Sequence, residues 1–157
     1  MVDMKLQQAA QLAQDLMRRH GLLPEWTFAF DRSKVRFGRC NYRTKQISLS
    51  KHLVELNSAG EVRETILHEI AHALAPRGAG HGPKWRSLAL SIGCNARRCF
   101  GKEVAVPEPK YRGTCPACQR VIYRHRRTKI ACGKCAAVFN PKFAFVWSLR
   151  EELRATG

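Results

Sequence analysis

Acidic residues are scarce in this chain: 12 Asp and Glu stand against 28 Lys and Arg in 157 residues, giving a formal charge of +16 and a pI near 10.2. That imbalance favours a polyanionic partner, nucleic acid ahead of a neutral substrate. Long apolar runs are missing as well. No stretch approaches the roughly 18 apolar residues that a membrane-crossing helix needs. Met1–His20, interrupted by Asp3, Lys5, Asp15, Arg18 and Arg19, lacks the apolar centre and cleavage site of a secretion signal. The basic residues are spread through strand-like and cysteine-rich stretches rather than along one amphipathic helix, so a membrane surface is a poor partner. The expectation is a soluble cytoplasmic protein, nucleoid-associated if bacterial. An even cysteine count is also absent. Of seven cysteines, four fall as two C-x-x-C pairs, a pattern suited to metal rather than to an extracellular disulfide framework. Repeats and low-complexity tracts are lacking, and 45% apolar content in this length fits one catalytic-sized domain with a small appendage.

What is present divides the chain. Leu6, Ala9, Ala13, Leu16 and Met17 recur at helical spacing before Gly21. From Trp26 to Leu49, the runs W-T-F-A-F-D, V-R-F-G-R-C and K-Q-I-S-L-S predict three short strands separated by Asp31, Gly38 and Asn41. Arg32, Lys34, Arg36, Arg39, Arg43, Lys45 and Lys51 accompany them, either as a basic binding face or as a solvated edge that resists aggregation. Ser58–Ala75 is the clearest helix, with Glu61 and Glu64 near its start and Pro76 past its end. A further helix opens at Pro83 and runs to Gly93. A linker is expected around Pro107 and Pro109, after which residues 110–145 hold nine Lys or Arg and no acid.

The strong helix carries His68-Glu69-Ile70-Ala71-His72. At about 100° per residue the two imidazoles lie about 40° apart on one face, able to reach a single zinc ion, and Glu69 falls on the same side. Ile66, Leu67, Ile70 and Leu74 occupy the face that would bury the helix. Neutral imidazole suits zinc, and a catalytic zinc keeps three protein ligands and leaves a fourth position to water, whose proton Glu69 would take and pass to a leaving amine. The metzincin spacing would need glycine at 75 and histidine at 78, where this chain has Ala75 and Gly78. His81, in Gly80-His81-Gly82-Pro83-Lys84-Trp85, is the better third ligand, with Glu103 or Glu108 as carboxylate alternatives lacking helical framing. His20, His52 and His125 read as surface histidines.

Cys115-Pro-Ala-Cys118 and Cys132-Gly-Lys-Cys135 are separated by 13 residues. Two such knuckles clamp one tetrahedral zinc, and four thiolates leave no open position, so this metal is structural. No thioredoxin-like setting supports a redox role. Cys40, Cys94 and Cys99 are left as ordinary thiols. Arg124, Arg126, Arg127 and Lys129 crowd the segment between the knuckles with Tyr123 interleaved, a composition that can neutralise phosphates and stack on a base.

Taken in order, H-E-I-A-H, G-H-G-P-K-W, C-P-A-C and C-G-K-C resemble the SprT-like family of zinc metalloproteases, over roughly residues 5–145. The resemblance implies an α+β, minimal zincin-like domain over 1–106, a small sheet with the active-site helix packed on it, then a zinc ribbon over 107–145 and a tail over 146–157. It implies two zinc ions per chain, with His68, His72 and His81 as ligands of the catalytic one, Glu69 as general acid/base and the four cysteines holding the structural one. It also implies, as in Spartan-type members, cleavage of proteins trapped on DNA in crosslink repair. Single-stranded or junction-containing DNA and DNA-associated proteins are the partners expected. A non-catalytic zinc-containing DNA-binding protein and a general peptidase indifferent to DNA remain as alternatives.

Overall fold

The computed structural model describes residues 5–98 and 101–150. It divides into two compact units, Met1–Pro107 and Glu108–Gly157. In the first, α1 (Leu6–Arg19) buries Ala9, Ala13, Leu16 and Met17, the apolar stripe of its sequence. Three strands follow: β1 (Thr27–Asp31), β2 (Gly38–Asn41) and β3 (Gln46–Ser50), in the order β1-β3-β2. β3 is parallel to β1 and antiparallel to β2, with Phe28 opposite Ile47 and Cys40 opposite Ile47 on its other side. Phe28, Phe30, Ile47, Leu49 and Cys40 therefore share the face turned to the helices, and Arg39, Ser48 and Ala29 the other.

The second strand begins later than its apolar pattern predicts. Residues 32–37 form a loop, in which Val35 is 72% exposed while Phe37 is buried. Asp31 drives this departure: its carboxylate accepts from the Ser33 amide, from the Ser48 hydroxyl and from Arg36, folding the loop back over the strand end. The basic residues of this region do not form one free face. Arg36 pairs with Asp31 and Lys45 with Glu25, while Arg32, Arg39 and Arg43 are exposed.

A short helix the sequence pattern did not reveal, α2 (Lys51–Leu56), is capped by the Ser50 hydroxyl. Then α3 (Ala59–Leu74) starts at Ser58, whose hydroxyl accepts from the Glu61 amide, and ends before Pro76. Val62, Ile66, Leu67, Ile70 and Ala71 are buried, packing α3 against α1, α4 (Pro83–Ser91) and the sheet. Asn57, itself buried, donates to the Leu53 and Ala105 carbonyls and accepts from the Ala105 amide, pinning the chain before the expected linker. No helix among the described residues is long and apolar enough to cross a membrane.

The second unit is a three-stranded antiparallel sheet, order β5-β4-β6, of β4 (Tyr111–Thr114), β5 (Val121–Arg124) and β6 (Val146–Leu149). Among the described residues its buried core is Cys115, Cys132 and Phe145, flanked by Ile122, Ile130, Phe143 and Trp147. Val146–Leu149, assigned from sequence to the tail, is the third strand of this sheet. Residues 151–157 of that tail lie outside the described residues, as does Cys99.

Candidate metal centres

Glu61, Glu64, Thr65, His68, Glu69 and His72 recur at helical spacing along one face of α3, and that face forms the floor of a cleft of about 440 Å³. One wall is Val35–Gly38, the other Cys94, Asn95, Arg97, Arg98, Gly101 and Glu103. His81 enters from the loop between α3 and α4. Gly78 and Gly80 adopt φ of +86° and +52°, a left-handed conformation that lets the chain reverse in a few residues and return an imidazole over α3.

The three imidazoles converge. His72 Nε2 lies 3.2 Å from His68 Nε2 and 3.1 Å from His81 Nε2, and the remaining pair is 3.0 Å apart. A neutral imidazole nitrogen is either a donor or an acceptor, so three mutual contacts cannot all be hydrogen bonds; at least one pair opposes two lone pairs or two N–H groups. A shared cation removes the conflict. Zinc–nitrogen bonds of 2.0–2.1 Å at tetrahedral angles would set these nitrogens roughly 3.3 Å apart, so the donor set fits zinc. Burial first, then the adjacent His72 and His81 rings, brings His68 down to about 4, against a backbone contact to Arg97. Burial and then His81 bring His72 to about 4, and burial followed by the charge of Arg98 lowers His81. All three are thereby neutral at neutral pH, the form that binds metal.

Glu69 lines the same cleft but is only 7% exposed. Burial pushes its carboxyl up to about 8, against the charge of Arg36 and a hydrogen bond from the Cys40 amide. Its seat depends on Gly38: a Cβ there would lie 2.6 Å from Glu69 Oε1 and 2.9 Å from Thr65 Cγ2. Tyr42 donates its hydroxyl to the His72 carbonyl at 2.7 Å, and the buried Trp85 ring contacts all three imidazoles. Gly38, Tyr42 and Trp85 were not singled out as site residues by the sequence; a glycine inside a short strand was the one available signal of a close approach.

Neither carboxylate alternative for the third ligand joins the imidazole cluster, although Glu103 lines a wall of the cleft. Glu103 pairs with Arg97 at 2.8 Å, and Glu108 belongs to the second unit, where it pairs with Arg150. His20, His52 and His125, expected at the surface, are half-buried. Cys40 is half-buried, its thiol raised to about 12 by burial and then by Glu69; Cys94 is buried and contacts the Glu64 carbonyl.

In the second unit, the Sγ atoms of Cys115, Cys118, Cys132 and Cys135 lie within 4.8 Å of one another. Cys115 to Cys135 is 3.8 Å and Cys118 to Cys132 is 3.7 Å. Tetrahedral zinc with bonds of about 2.3 Å would hold its sulfurs about 3.8 Å apart, whereas a disulfide needs about 2.0 Å. The backbone amides of the first knuckle point at its sulfur: the Cys118 amide is the main cause lowering the Cys115 thiol, helped by that of Ala117. Both donor sets therefore suit zinc.

The five residues expected to contact nucleic acid are not on one surface. Tyr123 and Arg124 are neighbours in β5 and so point to opposite faces, and Arg126, Arg127 and Lys129 lie in the loop beyond. Tyr123, 48% exposed, faces Arg112 across the sheet and lies under the Arg150 guanidinium at 5.0 Å. Arg127 stands 5.2 Å over Tyr111 and Lys129 is 6.0 Å from Phe139, two further cation–aromatic pairs that spacing alone did not suggest.

Among solved structures, the chain is similar to the metallopeptidase zymogen jannalysin of Methanocaldococcus jannaschii, at 19% identity and a TM-score of 0.46, over 61% of this chain and 85% of that one. No curated protein matches. Comparison with known families matches residues 6–107, the whole helix-and-sheet unit with its three histidines, to the SprT-like family. The chain belongs to the SprT-like family.

Proposed function

We propose that this protein is a zinc-dependent endopeptidase that cleaves proteins held on DNA. The observation that carries the reading is the convergence of three imidazole nitrogens beside a buried carboxyl in an open cleft. His68, His72 and His81 would hold the catalytic metal, and Cys115, Cys118, Cys132 and Cys135 a structural one. Bound by the imidazoles, zinc would supply a Lewis acid that polarises a peptide carbonyl. In its carboxylate form, which a bound cation beside it would favour, Glu69 takes the proton of the attacking water and returns it to the departing amine, and its low exposure keeps that proton from being lost to solvent. The cleft floored by α3 would take an extended chain with its scissile bond over the imidazoles. Tyr42 and Gly38 fix the positions of His72 and Glu69.

Nucleic acid binding is assigned to the second unit, whose residues 110–145 carry nine basic side chains and no acid. Arg124, Arg126, Arg127 and Lys129 neutralise phosphates, and Tyr123, on the other face of β5 from Arg124 and with Arg150 against one side of its ring, offers the remaining side for stacking, which favours single-stranded or junction-containing DNA. Tethering to DNA raises the concentration of DNA-bound substrate around the cleft without demanding sequence preference in that substrate.

The test is Glu69→Gln in the full chain, assayed on a DNA-binding protein with and without single-stranded DNA. Cleavage should fall by about 10²–10⁴ while zinc content stays at two per chain and DNA affinity is unchanged. Undiminished cleavage would remove Glu69 from the chemistry. A native chain that binds DNA and two zinc ions but cleaves nothing would leave the non-catalytic reading, and cleavage indifferent to DNA would leave a general peptidase.

A further inference from the structure

One indole touches every imidazole of the cleft. The Trp85 ring lies 5.2 Å from His72, stacked at 26°, and 4.8 and 4.6 Å from His68 and His81, edge-on at 60° and 85°. It is 1% exposed, and its Nε1–H is buried with no hydrogen-bond partner among the described residues. A buried unpaired donor is unfavourable. Phenylalanine would avoid it, and what accompanies the unpaired donor is contact of one ring system with all three imidazoles. Among the described residues, one hydrogen bond orients a ligand ring, the backbone contact of His68 to Arg97. His72 and His81 meet Trp85 instead, and His81 arrives on an exposed loop whose two left-handed glycines do nothing to hold the imidazole itself.

We infer that Trp85 is a positioning residue for the catalytic metal: a rigid aromatic platform that holds His68, His72 and His81 converged before metal arrives. Metal ligands are ordinarily oriented by hydrogen bonds from an outer shell, and losing such support weakens binding by about 10–100-fold. Here ring packing takes that part, fixing rotamers that an isolated histidine would sample freely and so reducing the entropy lost on binding. The inference rests on the proposal that the three imidazoles hold a metal.

The experiment measures zinc affinity of the full chain by competition with chelators of graded strength, in the native protein and in Trp85→Phe, Trp85→Leu and Met17→Ala. Met17 is fully buried in the core on α1, so its truncation destabilises the same unit without touching the imidazoles. The native chain should hold two zinc ions. Relative to it, the weaker-held ion should bind about tenfold less tightly in Trp85→Phe and about 100-fold less tightly in Trp85→Leu, with Met17→Ala unchanged within about twofold and the cysteine-held ion unaffected throughout. Native affinity in Trp85→Leu, or an equal loss in Met17→Ala, overturns the platform. A native chain holding only the ribbon's ion overturns the imidazole centre as well, which separates the two failures. Should the Trp85 variants not fold, the native chain labelled with 5-fluorotryptophan decides, its lines assigned by Trp26→Phe and Trp147→Phe. A Trp85 resonance as narrow in metal-free as in zinc-loaded protein supports the platform, and one that is broad until zinc is added overturns it.

Discussion

The two candidate metal centres differ in what surrounds them. The imidazole centre sits in a unit that buries Met17, Ile47, Leu49, Leu53, Ile66, Leu67 and Ile70 completely or nearly so, an ordinary core that includes none of the three histidines. The thiol cluster is the core of its unit: of the three buried apolar residues among those described, two are the candidate ligands Cys115 and Cys132 themselves. A few dozen residues that bury so little cannot offset the loss of chain entropy, so folding there has to be linked to metal binding. In the first unit the fold builds the site, and in the second the site builds the fold.

The largest test of that contrast is to remove one ligand from each centre. Cys132→Ser should cost the second unit its structure, seen as loss of amide protection throughout β4, β5 and β6, because structural zinc supplies roughly 10–16 kcal/mol of binding free energy in small metal-folded domains. His72→Ala should remove the other zinc and the peptidase activity yet leave the protected amides of α1, α3 and β3 as they were. Matching losses of structure in the two variants would erase the distinction.

A smaller effect is expected where the first unit's fold touches its chemistry. Gly38→Ala places a methyl 2.6 Å from Glu69 Oε1, and the carboxyl must move because β2 is held by its ladder to β3. A displacement of about 1 Å at a reacting group is worth about 100-fold. The expected outcome is a fall of that order in kcat with zinc affinity preserved, measured on a peptide substrate. If zinc affinity falls with kcat, Gly38 serves the ligand set rather than Glu69.

These residues also mark where the sequence stopped being informative. His68, Glu69 and His72 could be placed on one helical face because a 3.6-residue period is local information, and His81 followed from a glycine-rich loop closing a short connection. Both knuckles were legible for the same reason, as was the capped helix that carries the motif. The seat of Glu69 was not, because Gly38 and Cys40 reach it only through the pairing of β2 with β3, an arrangement no local pattern encodes. Trp85 read as one apolar position of a helix, since nothing in i, i+4 spacing distinguishes a core indole from one lying against three ligands. The loop at 32–37 was misread because alternating Val35 and Phe37 imitate a strand, while the Asp31 hydrogen bonds that override the pattern depend on Ser48, 17 residues away. In the ribbon, alternation along β5 separates Tyr123 from Arg124, a consequence of strand geometry that composition conceals.

The finest prediction concerns pH, and it uses the contrast directly. Once both metals are chelated the second unit has no fold to lose, so a thermal transition reports the first unit alone. Burial, then the neighbouring rings, lowers His68 and His72 to about 4, below their ordinary value of 6.5. As pH falls from 6.5 towards 4 the unfolded chain takes up protons that the folded site refuses, so stability is complete above 6.5 and is lost through that window. Glu69 acts in the opposite sense, because burial raises it from 4.5 to about 8. Between those values the folded state holds a proton the unfolded chain has released, so its contribution is present below 4.5 and is lost as pH rises towards 8. Two imidazoles outweigh one carboxyl below 6.5, and the carboxyl acts alone above it. The metal-free unit should therefore have its highest Tm near pH 6.5 and fall on both sides. Glu69→Gln should abolish the alkaline decline up to pH 8 and steepen the acid one. A native Tm that keeps rising from pH 6.5 to 8 would mean that the carboxyl is ionised in the folded state, and the burial that sets Glu69 apart from an ordinary surface acid would then have no consequence for its proton.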